Sequence, residues 1–359
     1  MTTPAAAAGP GGSVTPPQSG SPGGTAHPAY RSGSRRARTA VVLIALAVIL
    51  IAAAAAALLV GAAETTSVIV TEIRAPRIAL TLIVGAGLGI SGALLQGTLR
   101  NPLADPGIIG VSASAALGAV TTIAIAAAVW PAVSGSVWLT AIGATVAGIA
   151  GMALVLWIAR SASGRTEVVT LVLGGVAVTA FAAAVLSVVV AVSDDAGARS
   201  TTFWTTGSLA LATWPAVWST LPFLALAVIL AALVARDLDV LALGDRAAWA
   251  VGVPVERTRI LALGAAVVAV SAGVAVVGVI AFVGLVVPHA VRLLIGPRHG
   301  GLLVGSALAG ALLLLIADTI ARTVVSPVEL PLGVVTAVIG APIFVVLLRR
   351  TRSAQGGWA

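Results

Sequence analysis

Side chains able to do chemistry are few in this chain and lie far apart. The imidazoles are His27, His289 and His299, the phenol is Tyr30, the methionines are Met1 and Met152, and cysteine is absent. A haem or iron centre draws its ligands from such groups or from clustered carboxylates, and no His/Cys cluster or paired carboxylate site is present. Lack of cysteine excludes disulfides, thiolate metal sites, iron–sulfur clusters and thiol nucleophiles. All 20 basic residues are arginine. A P-loop needs a lysine on the β- and γ-phosphates, so the chain carries no such ATP site. No nucleophile stands beside a base, which speaks against a membrane enzyme.

The remaining polar signals are arginines, carboxylates and prolines set between apolar runs. Arg74-Ala75-Pro76-Arg77 has the spacing that puts both guanidinium groups on one helical face. Cations at a helix N-terminus oppose the macrodipole, so another interaction must favour them. Together with Arg322 they are expected to dock acidic residues of an external partner; interfacial snorkelling is the plainer alternative. Further on, Ser91 to Gln96 leads into Arg100-Asn101-Pro102-Leu103-Ala104-Asp105-Pro106-Gly107. Asp105-Pro106 reads as an N-cap followed by proline at the first helical position. Broken backbone at membrane depth is tolerated only when buried in protein or lining a cavity. Gln96, Asn101 and Pro102 are therefore candidates for lining a pathway, joined by Phe282, Pro288 and His289 from the last third. For His289 the plainer role is a hydrogen bond that fixes the Pro288 bend. Asp318 and Arg322 have the spacing of an intrahelical ion pair.

These residues must be positioned by membrane helices. The chain is 59% hydrophobic and only 9% charged, a composition that cannot supply the polar surface of a soluble domain of 359 residues. Its 40 glycines suit close helix packing in a bilayer. Residues 1–38 are rich in Pro, Gly, Ser, Ala and Thr and end in Arg31, Arg35, Arg36 and Arg38, a segment expected to be a disordered tail. Residues 39–350 read as one transmembrane domain. Its apolar runs lie at 40–63, 78–98, 107–130, 137–159, 167–193, 214–235, 259–296, 301–321 and 332–348. The run at 259–296 would span about 57 Å as helix, nearly twice the roughly 30 Å hydrocarbon core. It is expected to turn near Gly278–Gly284 and form two spans, giving about ten transmembrane helices in an all-α, polytopic fold. With the N-terminus in the cytoplasm, 16 arginines fall inside and four (Arg74, Arg77, Arg199, Arg322) outside. This agrees with the positive-inside rule and puts both termini, including a tail at 351–359, in the cytoplasm. The arginines follow topology rather than forming one basic stripe, so nucleic acid is not an expected partner. The longest cytoplasmic connection, 236–259, carries eight charges and reads as a short surface helix around Ala242–Gly252.

Ordered motifs then give a resemblance. Arg74–Arg77 (RAPR), Ser91–Gln96 (SGALLQ), Arg100–Ser112 (RNPLADPGIIGVS), Phe203–Leu209 (FWTTGSL), Leu241–Val253 (LALGDRAAWAVGV), Gly278–Arg292 (GVIAFVGLVVPHAVR), Ala317–Arg322 (ADTIAR) and Glu329–Pro342 (ELPLGVVTAVIGAP) resemble the iron-chelate and cobalamin (FecCD-type) permeases of ABC importers. The likeness covers nearly all of residues 40–350. It implies the type II importer fold of ten helices, in a bacterial cell membrane. Implied partners are a second permease, identical or not, two cytoplasmic ATPases that use the ATP, and an extracytoplasmic binding protein. Leu243, Gly244, Asp245, Arg246, Ala247 and Gly252 would then couple to the ATPase. Ser193-Asp194-Asp195, Arg199-Ser200, Thr202–Leu209 and Ile295-Gly296-Pro297-Arg298-His299 look most like haem permeases, which favours haem over a ferric siderophore or cobalamin. Gly300-Gly301 departs from the basic residue that many relatives carry after His299. No cofactor or metal is expected on this chain. The alternative from another class is an ion-coupled secondary transporter, which would more naturally place paired ionisable groups mid-membrane.

Overall fold

In a computed structural model the described residues are 32–60, 66–160, 168–191, 205–326 and 328–354. The chain is all-helical over them. In order come α1 (Ser32–Leu59), α2 (Ala75–Leu99), α3 (Val111–Val129), α4 (Val137–Ala159), α5 (Val168–Ala191), α6 (Trp214–Leu241), the short α7 (Asp245–Ala250), α8 (Val255–Val277), α9 (Val283–Ile295), α10 (His299–Thr323) and α11 (Leu332–Ala354). A π-helical turn, Ile69–Arg74, runs directly into α2. Eight helices are long and apolar enough to cross a bilayer, and two shorter apolar helices, Val283–Ile295 and Leu332–Val346, complete the expected ten.

The long run at 259–296 does break. α8 ends at Val277, Gly278 takes φ 79°, and α9 begins after Phe282, whose φ of 68° is in the left-handed region. α1 begins at Ser32, inside the segment expected to be disordered, and α11 runs to Ala354, into the expected C-terminal tail. Once an apolar span has nucleated a helix, adding flanking Arg and Ala residues costs little. The tail before Ser32 and the Ser193–Trp204 motif residues lie outside the described residues.

α2 and α8 form the centre of the bundle, with 78% of the apolar stretch of each buried, against 6% for the peripheral α1. α2 packs most extensively on α10 and also meets α6, α8 and α9. Dispersion, rather than the hydrophobic effect, holds helices together in lipid, and it requires close approach. Small residues on both partners provide it. A Cβ on Gly85 would sit 2.6 Å from the Gly310 carbonyl oxygen, and one on Gly89 would collide with the Ser306 carbonyl. Gly85 and Gly89 on α2 therefore face Ser306 and Gly310 on α10, small residues four apart on each helix, backbone against backbone.

Gly89→Val should force α2 away from α10. The cost should be at or above the ~1–3 kcal/mol typical of overpacking, read as a loss of folded, monodisperse protein after detergent extraction. Leu59→Val, at a site 70% exposed, should behave as wild type in the same assay.

Candidate functional site

Three polar clusters are organised by α2, one at its start and two towards its end. At the first end, Arg77 is only 8% exposed. It donates from Nε and Nη2 to Asp318 Oδ1 at 3.0 and 2.8 Å, and from Nη1 and Nη2 to the Glu329 carboxylate at 2.8 and 3.0 Å. This forked geometry suits a guanidinium between two carboxylates. Arg74 donates to the Leu58 carbonyl at 2.8 Å, and Arg322 donates to the Val60 and Ala57 carbonyls at 2.7 and 2.8 Å. Cations thus satisfy the last carbonyls of α1, where the helix dipole favours them.

The guanidinium groups of Arg74, Arg77 and Arg322, expected to dock an external partner, are each bonded to acceptors of the same chain. The interaction needed to offset the unfavourable N-terminal position of Arg77 is internal. The expected Asp318–Arg322 pair is also secondary, with Nε–Oδ2 at 3.8 Å, because Asp318 is held by Arg77.

The second cluster is the connection between α2 and α3. α2 ends on Arg100 at φ 50°, and the chain then turns back along the bundle instead of leaving it. Pro106 packs against Gly284, a Cβ on Gly284 lying 3.0 Å from its Cδ, while Gly284 itself abuts Gly92. Gly92 is seven residues from the end of α2, or about 10 Å deep by helical rise. Ile108 and Ile109 reach Gly175 of α5, where an added Cβ would be 2.6 Å from the Ile109 Cα. Irregular backbone therefore sits below the helix ends, enclosed by α2, α5 and α9, as the bilayer requires. Asp105 is not the N-cap of α3, contrary to the sequence reading. Its Oδ1 accepts from the Gly107 N–H at 2.7 Å in a local turn, and α3 begins only at Val111, behind Gly110 at φ 86°.

A cleft of about 530 Å³ opens beside this turn, lined by Asp105, Ile108, Val176, Thr179, Phe282 and Leu285 among others. Of the expected pathway residues, only Phe282 lines it. Gln96 is 2% exposed and donates to the Leu285 carbonyl at 3.0 Å, fastening the first turn of α9 to α2. Asn101 Oδ1 accepts from the Leu103 N–H at 2.9 Å, shaping the turn after α2. Pro102 is half-buried in the same turn, Pro288 is buried inside α9, and His289 is half-buried; none of them lines the cleft. The α5 wall was missed because Val176, Thr179, Ala180 and Ala183 read as ordinary apolar helix.

The third cluster joins α2 to the connection after α6. The expected surface helix is α7, preceded by Gly244 at φ 113°. Asp245 in its first turn lies 3.0 Å from Arg100 Nη2 and 3.3 Å from Arg259 Nη2, and Arg259 Nη1 lies 3.4 Å from Glu256. Ala248 is fully buried and anchors the helix, whereas Leu243, Trp249 and Val251 are 76%, 78% and 69% exposed. Arg246, Ala247 and Gly252 are also exposed. A groove of about 800 Å³ runs past Arg246, Trp249, Pro254 and Arg257. Large apolar side chains among charges on a surface suit a contact with protein or membrane.

A helical bundle with broken backbone below its helix ends, a cleft beside that break and an exposed apolar and charged segment tied to it defines a multi-pass membrane protein of the transporter class. The chain belongs to the FecCD transport family, which residues 39–350 match. It is 43% identical over 289 residues to the cobalamin import system permease BtuC of Halobacterium salinarum, covering 80% of this chain and 74% of that protein. It is 36% identical to the hemin transport system permease HmuU of Yersinia pestis, over 79% and 84% of the two chains. The Fe(3+) dicitrate permease FecD of Escherichia coli is 40% identical over 79% and 86%. A metal-chelate type ABC transporter solved in an inward-facing conformation matches with a TM-score of 0.76 at 32% identity, covering 86% of this chain and 99% of that one.

Arg77→Met should leave the 1% exposed Asp318 without its partner, at a cost on the order of 3–5 kcal/mol. Thermal unfolding of the purified protein should show a large loss, partly restored by adding Asp318→Leu. A purely surface role for Arg77 would leave the melting temperature unchanged.

Proposed function

We propose that this chain is the membrane permease of an ATP-driven importer for an iron chelate, with haem the favoured cargo. The observation that carries the reading is the connection between an exposed contact segment and a membrane-depth cleft through Asp245 and Arg100. In this reading the arginine-rich end faces the cytoplasm, where an ATPase docks on Leu243, Arg246, Ala247, Trp249 and Val251. Movement of α7 is passed by Asp245 to Arg100, and so to the turn that bears Asp105 and Ile108. A second permease closes the open side of the cleft. An external binding protein docks at the opposite end, on the rim around the arginine clamp, where Glu329 is 38% exposed.

The cleft wall is mostly apolar, which suits a flat, largely apolar macrocycle better than a hydrated ion. The cargo travels as a closed chelate and takes no ligand from the permease, because His289 lies off the cleft lining. The 43% identity to a cobalamin permease favours cobalamin as the second reading.

Reconstitution with the partner ATPase and binding protein, loaded in turn with haem, a ferric siderophore and cobalamin, tests this directly. ATP-dependent uptake of haem, retained in His289→Gln, is the expected result; uptake of cobalamin alone would contradict the iron-chelate reading. Trp249→Ala and Arg246→Glu should weaken ATPase binding, whereas Asp245→Ala should preserve binding and lower uptake per ATP hydrolysed. Equal uptake per ATP in Asp245→Ala and wild type would remove the proposed connection.

A further inference from the structure

A second cleft, of about 480 Å³, lies between α2, α6 and α10 and belongs to none of the clusters above. Val228 and Ala232 of α6 form one wall, Leu303 and Ala307 of α10 the other, and Ile90 of α2 the floor. Four of the lining residues are alanines (Ala231, Ala232, Ala235 and Ala307), whose methyl groups leave space that longer side chains would fill. Ala232 and Val304 are exposed, so the cleft opens sideways out of the bundle. In a membrane protein that surface meets hydrocarbon, and an apolar groove there is filled by a lipid chain.

The mouth of the cleft has a distinct chemistry. Arg236 lines it, is exposed, and makes no ion pair among the described residues. Asp239 also lines it; its Oδ1 accepts from the His299 N–H at 2.7 Å and lies 2.7 Å from His299 Nδ1, so His299 engages one of its two oxygens. Gly300 has open space where a side chain would stand, so the mouth is unobstructed. Arg236 precedes the end of α6 by five residues, about 7–8 Å of helix, a depth from which a long cationic side chain reaches the headgroup layer.

We propose that this cleft binds an anionic phospholipid, one acyl chain lying between α6 and α10 and the phosphate paired with Arg236. Charge complementarity selects the headgroup and the apolar walls hold the chain. The orientation comes from the functional reading above, in which Arg236 faces the cytoplasmic leaflet, whose anionic lipids attract basic residues. The test involves no transport, so the lipid site and the transport reading fail separately.

The full chain, exchanged into mixed micelles with equal phosphatidylglycerol and phosphatidylethanolamine, can be read by native mass spectrometry. Wild type should retain one phosphatidylglycerol per chain, with a preference of about fivefold, the scale of one cation at an anionic surface. Arg236→Glu should lose the preference, and Ala307→Phe should lose both lipids by filling the groove. Ala232→Leu, a smaller filling, gives the same reading should Ala307→Phe not fold. Retention without preference in wild type, or an unchanged preference in Arg236→Glu, would overturn the proposal.

Discussion

Close contact between the backbones of α2 and α10 is the constraint on which the rest depends. With Gly85 and Gly89 against Ser306 and Gly310, α2 can occupy the centre and touch most of the bundle. Every polar cluster is then placed by α2: Arg77 at its start, Gly92 at the level of the broken backbone, and Arg100 at its end. Moving α2 outward by the thickness of a methyl group would open all three. The bilayer makes this strict, since unsatisfied backbone groups in hydrocarbon cost several kcal/mol each.

The two ends of α2 solve different electrostatic problems. At its N-terminus the cations oppose the dipole and are held by the buried Asp318, by Glu329 and by the carbonyls ending α1, which suits a fixed anchor. At its C-terminus Arg100 meets Asp245 in a half-exposed pair, where water screens the attraction and the geometry can change at little cost. A rigid start and a yielding end of α2 allow motion at one end of the bundle without loss of the rest.

Much of the helical plan was legible in the sequence. A run too long for one span had to break, and it breaks at Gly278–Phe282; the charged connection after α6 does contain a surface helix. The arginine clamp was not legible in its role. Spacing shows which residues share a helical face, but Arg77 and Asp318 are 241 positions apart, and nothing local marks their meeting. The depth of the Asp105 turn depends on Gly92 meeting Gly284, again a distant contact. Gln96 stood out in the sequence beside the broken backbone, but its bond to the Leu285 carbonyl, 189 positions away, had no local sign. The cleft wall from α5 carries no polar signal at all.

In the proposed transport cycle, Asp245 and Arg100 connect the exposed segment to the cleft. The absence of cysteine makes single-site labelling direct. Spin labels at Ala247 and Ile108, in the complex with its ATPase, would report the motion of α7 and of the cleft turn on addition of nucleotide. Both labels should respond in the otherwise unaltered protein, and Arg100→Gln should silence the Ile108 label while Ala247 still responds. An undiminished Ile108 response in Arg100→Gln would contradict the connection.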